Sequence, residues 1–437
     1  MHAHPSPFPH NTLRTLARML TTLIGVVAIA GCTADRPDPT GLKAGAATLS
    51  NGLPFTEGGL ASPGWQAVIR QYVAQAAFSP QTAARAYPLL GVAQYLAVQR
   101  AEAAIGNPNV QDVSAGNGIG AGGRPRLETD RGAVAGASVV VLRYLFSAPA
   151  QVQAFEGLVT AQENITRPGP QRAAFLAGEA IGRAVGAEIV TRAIGDGFTN
   201  PVTATPPVGP AFWTSNTNPI TIAGGSLPGT RAWFLTSASQ FRPGPPPAFG
   251  SPDFNAAVAE VRQISDTRTQ AQIDIAAFWA LNAGTETAAG YWLDAASQEI
   301  EARGFSEREA THLFALLSAT MFDAVIGCWD AKMTYWLIRP WKADLAITTT
   351  AAVGKPNHPS YPSGHSCVSS SAGEVLSTAF PEERAHFESL VAEAGRSRVF
   401  GGIHYTFDIT TGQALGRNVA QFAIAADASG NSVLTDH

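Results

Sequence analysis

Helical periodicity runs through most of the chain and leaves few fold classes open. Before residue 195, apolar residues recur at three- and four-residue steps in five segments, 65–77, 82–104, 132–146, 151–160 and 172–194. The same spacing returns at 253–264, 268–282, 287–303, 306–336, 364–379, 381–395 and 405–426. Hydrophobic residues make up 45% of the chain and charged residues only 14%, which suits a large buried body. We therefore predict an all-α protein.

Two pairs of segments resemble each other at nearly equal distances along the chain. Leu89–Val98 resembles Leu316–Val325 at an offset of 227 residues, and Gly178–Arg183 resembles Gly412–Arg417 at an offset of 234. Similar offsets predict two related helical bundles, packed together and derived by internal duplication. Alanine-rich helices share a composition, so chance similarity is the alternative.

The first 31 residues have the pattern of an export signal. Arg14 and Arg18 precede a short apolar run, Met19–Ala30, which is too short for a lasting membrane anchor. The next residues complete Ile29-Ala30-Gly31-Cys32, which resembles the bacterial lipobox, where the cysteine is lipidated. An ordinary signal peptide followed by a chance cysteine is the alternative. We predict an exported protein, lipid-anchored at Cys32 to the bacterial cell envelope on its periplasmic or extracellular face.

The remaining chain divides by composition into three parts. Residues 32–64, with several Pro, Gly and Ser residues, are predicted to be a flexible tether. Residues 65–252 form an N-terminal bundle that ends in a Pro/Gly-rich loop over 196–252, either an extended wrap or a lid. Residues 253–437 form the C-terminal bundle.

Charge and hydropathy limit the partners. A net charge of −4 leaves no nucleic-acid footprint. After the signal, no run reaches the roughly 18 uncharged apolar residues that a membrane span needs. Membrane contact is therefore expected through the lipid anchor only. Self-association into a homo-oligomer stays open.

Three polar clusters interrupt the C-terminal half and place the predicted active site there. Lys332 is followed six residues later by Arg339, and Pro362 opens the run Ser363-Gly364-His365. In the third cluster, Arg398, His404 and Asp408 follow one another at short spacing. Lys332, Arg339 and Arg398 are cations, and guanidinium groups can offer paired N–H donors to tetrahedral oxygens. Ser363 and the Gly364 amide would sit at a helix start, which favours anions.

The two histidines have separate predicted roles. His404 and Asp408 lie four residues apart and would share a helix face, where the carboxylate can hold one ring nitrogen protonated. The other nitrogen of His404 is then free as a nucleophile or a ligand. His365 is left as the acid/base partner. Each residue alone is commonplace, but together they predict a site for a small, highly charged oxyanion.

The three clusters resemble the signature of the superfamily that joins type 2 phosphatidic acid phosphatases, bacterial acid phosphatases and vanadium-dependent haloperoxidases. The matching residues are Lys332, Arg339, Ser363, Gly364, His365, Arg398, His404 and Asp408. The loop 358–366 and the pair Phe278-Trp279 are most similar to the haloperoxidase branch. The similarity is clear over residues 255–425 and weaker before them.

The resemblance implies two reactions for the same residues. In a haloperoxidase, vanadate is the cofactor, His404 is the position that ligates the metal, and hydrogen peroxide and halide are the substrates. In an acid phosphatase, no metal is needed: His404 attacks the phosphorus of a phosphate ester and His365 protonates the leaving group. A non-enzymatic, oxyanion-binding lipoprotein is a third reading. The haloperoxidase reading is our first expectation.

Two residues are candidates for the halide site. The resemblance places His358 near the halide, as in algal bromoperoxidases, and therefore favours bromide over chloride. Trp341, directly after Pro340, is a candidate apolar wall. Ordinary roles, a turn residue for His358 and core packing for Trp341, are the alternatives.

Two further features depart from the family pattern or stay open. Haloperoxidases often carry an acidic residue after the Phe-Trp-Ala segment, where it braces an arginine, but here the residue is Asn282. Asp323 or Asp330 could brace an arginine instead, or serve only in helix packing. Cys328 and Cys367 could pair in an exported protein, or remain two buried free thiols.

Overall fold

The computed structural model describes residues 54–105, 123–430 and 432–435; the predicted signal, Cys32 and most of the predicted tether lie outside them. Within these ranges the regular structure is helical, with one isolated bridge between Phe212 and Leu337 and no strand. The α-helices are α1 (Ser62–Gln75), α2 (Pro80–Ile105), α3 (Gly123–Leu145), α4 (Pro149–Ile165), α5 (Pro170–Ile194), α6 (Pro252–Thr267), α7 (Gln270–Phe278), α8 (Thr287–Arg303), α9 (Glu307–Tyr335), α10 (Pro340–Ala343), α11 (Gly364–Ala379), α12 (Arg384–Phe400) and α13 (Thr406–Ala428). The all-α prediction is confirmed.

Most predicted boundaries agree with the structure to within a few residues, and the differences have local causes. Helix α1 begins inside the predicted tether, where the ring of Phe55 packs on Trp65 at 5.3 Å between centroids. Helix α3 begins nine residues before the predicted start at Gly132. Its polar first turns look like a loop in the sequence, but Arg131 pairs with Glu128 through two 2.9 Å hydrogen bonds. This pairing lets a charged helical turn be buried.

Helix contacts repeat between the two halves of the chain. A Cβ on Gly178 or Gly182 of α5 would lie about 2 Å from the carbonyl oxygen of Thr129 or Ala133 on α3. In the second half, Gly412 and Gly416 of α13 meet the carbonyl oxygens of Ser363 and Cys367 in the same way. Each of these four positions lies 234 residues after its counterpart. The equal offset at four contacts supports two bundles of common design, with glycine where the helix axes approach most closely.

Helix α9 is the centre of the body and carries Lys332 near its C-terminal end. It packs on α2 of the first bundle and on α11 and α13 of the second. Ser306 caps it in a capping box with Glu309, which fixes where the helix starts. It is also the one described helix long and apolar enough to cross a membrane, but 89% of its most apolar window is buried inside the protein.

The Pro/Gly-rich loop 196–252 is held against α9 by hydrogen bonds along its length. The indole N–H of Trp329 donates to the Ala223 carbonyl at 2.8 Å, and the Tyr335 hydroxyl donates to the Pro243 carbonyl at 2.6 Å. The Arg242 guanidinium makes two hydrogen bonds to Asp330, at 2.6 and 2.7 Å. Of the two predicted alternatives, the loop is therefore an extended wrap that brings Ala223 to the edge of the site.

Candidate active site

The three polar clusters converge, although each belongs to a different element. Lys332 lies on α9, and Arg339 lies in the short segment between α9 and α10. The second cluster lies at the start of α11, where Ser363 is the N-cap and its hydroxyl accepts from the Ser366 amide at 3.4 Å. Arg398 lies near the end of α12 and Asp408 in the first turn of α13. The convergence is tertiary, because these elements meet only in the folded bundle.

His404 connects two of the clusters. Its Nδ1 lies 2.8 Å from Oδ2 of Asp408, and its Nε2 lies 3.1 Å from the guanidinium NH1 of Arg339. Arginine can only donate, so Nε2 must accept and the ring proton belongs to Nδ1, which donates to the carboxylate. The predicted orientation of His404 by Asp408 is made, although α13 begins only at Thr406 and His404 precedes it.

Asp408 is a fully buried acceptor for three donors. Besides the imidazole, Oδ2 accepts from the Ser360 hydroxyl at 2.6 Å and from the Tyr405 amide at 3.2 Å. Burial raises the pKa of Asp408 to about 6, while the Ser360 hydrogen bond and the charges of Lys332 and Arg339 oppose that rise. The sequence pattern predicts no role for Ser360; its place within the loop 358–366 was the only signal.

Lys332 stabilises the loop 359–362 through hydrogen bonds from its ammonium group. Its ammonium donates to the carbonyls of Pro359 and Ser360, each at 2.9 Å, and also to the carbonyl of Pro362. These three acceptors match its three N–H donors. Complete burial lowers the pKa of Lys332 to about 8. The sequence predicted a point charge for an anion; the structure adds that the same charge orders the loop 359–362.

The N–H groups of Arg339 likewise donate to acceptors within the protein. Nε donates to the His358 carbonyl at 2.9 Å, NH1 to the Ile403 carbonyl at 2.6 Å, and NH2 to Nδ1 of His358 at 3.1 Å. The ring of Trp341 lies under its guanidinium at 5.4 Å. Burial lowers the pKa of Arg339 to about 10, with Asp408 opposing the shift. Arg339 therefore fixes both flanking histidines.

Arg398 differs from the other two cations because no carboxylate of the described residues faces it. It is 1% exposed, and it donates to two neutral oxygens, the Ser397 hydroxyl at 2.9 Å and the Ala276 carbonyl at 3.2 Å. Burial alone lowers its pKa to about 9. Within the described ranges, three of its five N–H donors have no acceptor. A buried, unpaired guanidinium favours binding of an anion.

His365 presents a second unsatisfied atom. The residue is partly buried, and its Nε2 atom is shielded from solvent and has no hydrogen-bond partner in the described part of the chain. Burial and the charge of Arg398 hold its pKa well below the ordinary 6.5, while backbone hydrogen bonds with Trp279 and Ala280 oppose the shift. The imidazole is therefore neutral without an anion, and an anion beside Arg398 would raise its pKa.

Some of these residues border a cavity of about 350 Å³. Gly364, His365, Arg398 and His404 line one side of it, together with His358. A Cβ on Gly364 would lie 3.2 Å from the ring of Trp329, so glycine keeps this end open. Over residues 54–105, 123–430 and 432–435, no group of three or more His, Cys, Asp or Glu side chains is placed to hold a metal cation. The donor set therefore suits an oxyanion held by hydrogen bonds and one imidazole.

The two candidates for the halide site lie in different environments. His358 lines the cavity, and its ring lies 5.0 Å from that of Trp329. Trp341 is not among the lining residues and packs in a second hydrophobic cluster beneath Arg339. Its predicted place as a cavity wall is therefore wrong, because the turn at Pro340 directs the following residues into that cluster. Trp329 is the aromatic wall instead.

Neither Asp323 nor Asp330 braces an arginine of the site. Asp323 accepts three backbone amides of the wrapping loop, from Trp233, Phe234 and Leu235, at 2.7–2.9 Å. Asp330 pairs with Arg242 of the same loop. Asn282 donates to the Ala352 carbonyl at 2.9 Å. The bracing of Arg398 is therefore left to neutral oxygens.

The two cysteines beneath the loop are free thiols, and both are buried. The thiol of Cys328 donates to the Pro362 carbonyl at 3.7 Å. Burial raises the pKa of the Cys367 thiol well above its ordinary value. Of the two alternatives open from the sequence, the structure has the unpaired one.

Comparisons with known proteins agree with this geometry. Residues 309–428, which contain all three clusters, match the model of the PAP2 superfamily. No curated protein sequence matches the chain. Among solved structures, a protein described as the first bacterial vanadium-dependent iodoperoxidase is similar at a TM-score of 0.68 and 24% identity, over 83% of this chain and 94% of that one.

A bacterial vanadium-dependent chloroperoxidase is also similar. Its holo form matches with a TM-score of 0.59 and 15% identity, over 79% of this chain and 92% of that one. Its apo form gives 0.60 and 14%, over 78% and 92%. The resemblance drawn from the sequence is therefore confirmed: residues 309–428 carry the PAP2 superfamily pattern, on the all-α fold of the bacterial vanadium-dependent haloperoxidases.

Proposed function

We propose that the protein is a vanadate-dependent haloperoxidase that oxidises halide, bromide in preference to chloride, with hydrogen peroxide. The observation that carries the proposal is Arg398, a buried cation that lines the same cavity as His404 and has no carboxylate partner among the described residues. Within the described ranges, the site holds three buried cations, Lys332, Arg339 and Arg398, but one buried carboxylate, Asp408, which acts on Lys332 and Arg339 only. The excess positive charge favours a multiply charged anion at this position.

The residues fit vanadate. The free donors of Arg398 and the start of α11 at Gly364 suit its oxygens. The lone pair of His404 Nε2, which accepts from Arg339 NH1 in this structure, would have to leave that donor to bind the metal. Lys332 and Arg339 supply charge, and Arg339 also directs the imidazole. When bound, vanadate would supply the Lewis acidity that activates peroxide toward halide.

The protein's own residues would bind, orient and move protons. Asp408 keeps the proton of His404 on Nδ1 through their 2.8 Å hydrogen bond, so that Nε2 carries the lone pair, which would pass from Arg339 NH1 to the bound group. His365 is the proton carrier, because its Nε2 has no partner among the described residues and its pKa rises once an anion offsets Arg398. The buried loop 358–363 excludes water from this side.

His358 supports the choice of bromide. Its Nδ1 lies 3.1 Å from NH2 of Arg339 and 3.2 Å from the Pro359 carbonyl, and it cannot accept from the first and donate to the second at once. Arginine always carries its protons, so Nδ1 accepts from Arg339 and the proton of the neutral ring belongs to Nε2. Burial and the charges of Arg339 and Lys332 hold the pKa of His358 well below 6.5, so the ring is neutral. A neutral N–H donor beside the Trp329 ring suits a large, weakly hydrated halide.

A metal-free phosphomonoesterase is the second candidate. The lone pair of His404 and the unpartnered Nε2 of His365 would equally serve as nucleophile and acid at phosphorus. One purified sample assayed two ways separates the candidates. Bromination of a phenol dye with peroxide and vanadate is expected, with little hydrolysis of a chromogenic phosphate ester without vanadate. Hydrolysis alone would reverse the assignment.

A substitution separates an enzyme from a protein that only binds anions. His404→Ala should abolish both activities while Arg398 still attracts phosphate or vanadate. Anion binding is measured as the rise in melting temperature on adding either anion. Retention of turnover by His404→Ala would contradict a role for this imidazole in either reaction.

We also propose export and lipid anchoring at Cys32. The support is the signal-like run 1–31 and its lipobox. In a bacterial host, a labelled fatty acid should label the wild type but not Cys32→Ser, and only the wild type should partition with membranes. Equal labelling of both chains would exclude Cys32 as the acceptor.

A further inference from the structure

The cavity extends well beyond the oxyanion site and draws on both bundles. Its apolar wall consists of Ala84, Ala223, Ala288, Ala289, Val325 and Val368. Its volume of about 350 Å³ lies within the range of small-molecule sites, roughly 300–1,000 Å³. A single halide ion needs far less space. The volume is therefore large enough for a second, organic occupant.

The first bundle contributes two polar residues to the cavity lining, Ser79 and Gln81, and of these only Gln81 is buried. Gln81 lies in the first turn of α2, lines the cavity and is only 7% exposed. No hydrogen bond joins its side-chain amide to another described residue, and the amide faces the cavity. The amide atoms are open to the cavity and have no partner there in the described part of the protein, so they are available to a ligand or to water. His365 Nε2, another polar atom without a partner among the described residues, lines the same cavity.

Charge selects the class of ligand. Of the described residues, no aspartate or glutamate lines the cavity, whereas Lys355 and Arg398 do. Lys355 is exposed at the outer part of the wall. Such a lining disfavours ammonium compounds and favours neutral or weakly acidic ones. The amide of Gln81 can both donate and accept, which matches a hydroxyl group.

We propose that the cavity binds the organic acceptor of the halogen, a small aromatic with an acidic hydroxyl of the phenol class, and that Gln81 hydrogen-bonds that hydroxyl. This inference rests on the proposed haloperoxidase function. Halide, hydrogen peroxide and a proton give hypohalous acid and water. A ring carbon of the phenol then forms a bond to the halogen as the halogen–oxygen bond breaks, and the hydroxide released combines with the ring proton as water.

Binding is tested first, on the full chain without vanadate. Titration with 4-fluorophenol, followed by fluorine NMR, should show saturable binding to the wild type. Gln81→Leu should weaken it about five- to tenfold, which corresponds to one hydrogen bond. Gln153→Leu, at an exposed position on α4, is the matched control and should bind like the wild type. Gln81→Glu places a carboxylate in the cavity and should weaken binding further.

The products provide the second test. Phenol bromination by the wild type should give an ortho-to-para ratio different from that of free hypobromite in the same buffer. Gln81→Leu should shift the ratio toward that of free hypobromite. Iodide oxidation to triiodide, measured without phenol, should be unchanged in this variant and shows that it folds and retains the oxyanion site.

The outcomes distinguish this inference from the proposed function. Equal phenol affinity in the wild type and Gln81→Leu, or the free-hypobromite ratio in the wild type, would overturn the organic site. A rise in the halide KM alone would reassign Gln81 to the halide. If phenol binds through Gln81 but no halide is oxidised, the binding site stands and the haloperoxidase reaction falls.

Discussion

Replacing Arg398 by methionine should leave the anion-free protein as stable as the wild type, or more so. Methionine has similar length and fills irregular space without a charge. The side chain is 1% exposed and has two neutral acceptors, so the wild type carries the cost of a buried cation that no carboxylate of the described residues offsets. The free-energy cost of burying the charge is several kcal/mol, and each hydrogen bond from a charged donor offsets about 1.5–3 kcal/mol of it. We expect a net change between 0 and about 2 kcal/mol in favour of the variant.

Arg131 is the matched control. It is 0% exposed, but it forms a two-bond pair with Glu128, which itself lies buried. Arg131→Met leaves that carboxylate without its cation, so it should destabilise the protein by about 3–5 kcal/mol. Substitution of these two equally buried arginines is therefore predicted to change the free energy of unfolding in opposite directions, or by clearly different amounts. Arg131 has a carboxylate partner, whereas Arg398 has none among the described residues until an anion binds.

The assay is urea unfolding followed by tryptophan fluorescence, with and without phosphate or vanadate. An anion at 100 times its Kd should stabilise the wild type and Arg131→Met by about 2.7 kcal/mol. Arg398→Met should lose most of that gain. The reasoning is refuted if Arg398→Met is destabilised as much as Arg131→Met, or if it keeps the full response to the anion.

Three further predictions concern orientation, pH and helix packing. Asp408→Asn should lower turnover about 100-fold or more, because a neutral amide no longer holds the His404 proton on Nδ1; a loss under tenfold with saturating vanadate would contradict this. Burial raises the pKa of Asp323 from 3.8 to about 6, so the folded state binds more protons than the unfolded one in that window. The contribution of Asp323 to stability must then fall as pH rises from about 4 to 6. Asp323→Asn should show a shallower slope in unfolding curves than the wild type, because Asp408, whose pKa burial also raises to about 6, keeps its own contribution. Gly182→Ala places a Cβ 2.0 Å from the Ala133 carbonyl and should cost about 1–3 kcal/mol of unfolding free energy. Gly157→Ala, with open space around it, should instead stabilise by about 0.5–1 kcal/mol; equal effects of the two alanines would exclude the close helix contact.

Local patterns along the chain were enough to predict the fold class and the chemical content of the site, and they also indicated the repeat. Helical periodicity depends on local spacing, so the helices could be placed to within a few residues. The glycines at an offset of 234 are visible in the sequence as a repeat, and they coincide with close helix contacts. Arg339, His404 and Asp408 could be assigned to one site because their spacing resembles a family signature whose residues form a single site. The start of α3 was missed because the burial of its charged first turns depends on a pair, Arg131 with Glu128.

The role of each group in the site depends on how the helices pack. Spacing gives no information on whether a buried charge has a partner. Lys332 is satisfied by three carbonyls of the loop, whereas Arg398 has no carboxylate partner anywhere in the described ranges. Trp341 lies under Arg339 and not in the cavity, and Gln81 reaches the cavity from α2 of the other bundle. Contacts between distant elements depend on how the bundles pack, and the local pattern of residues does not encode that packing.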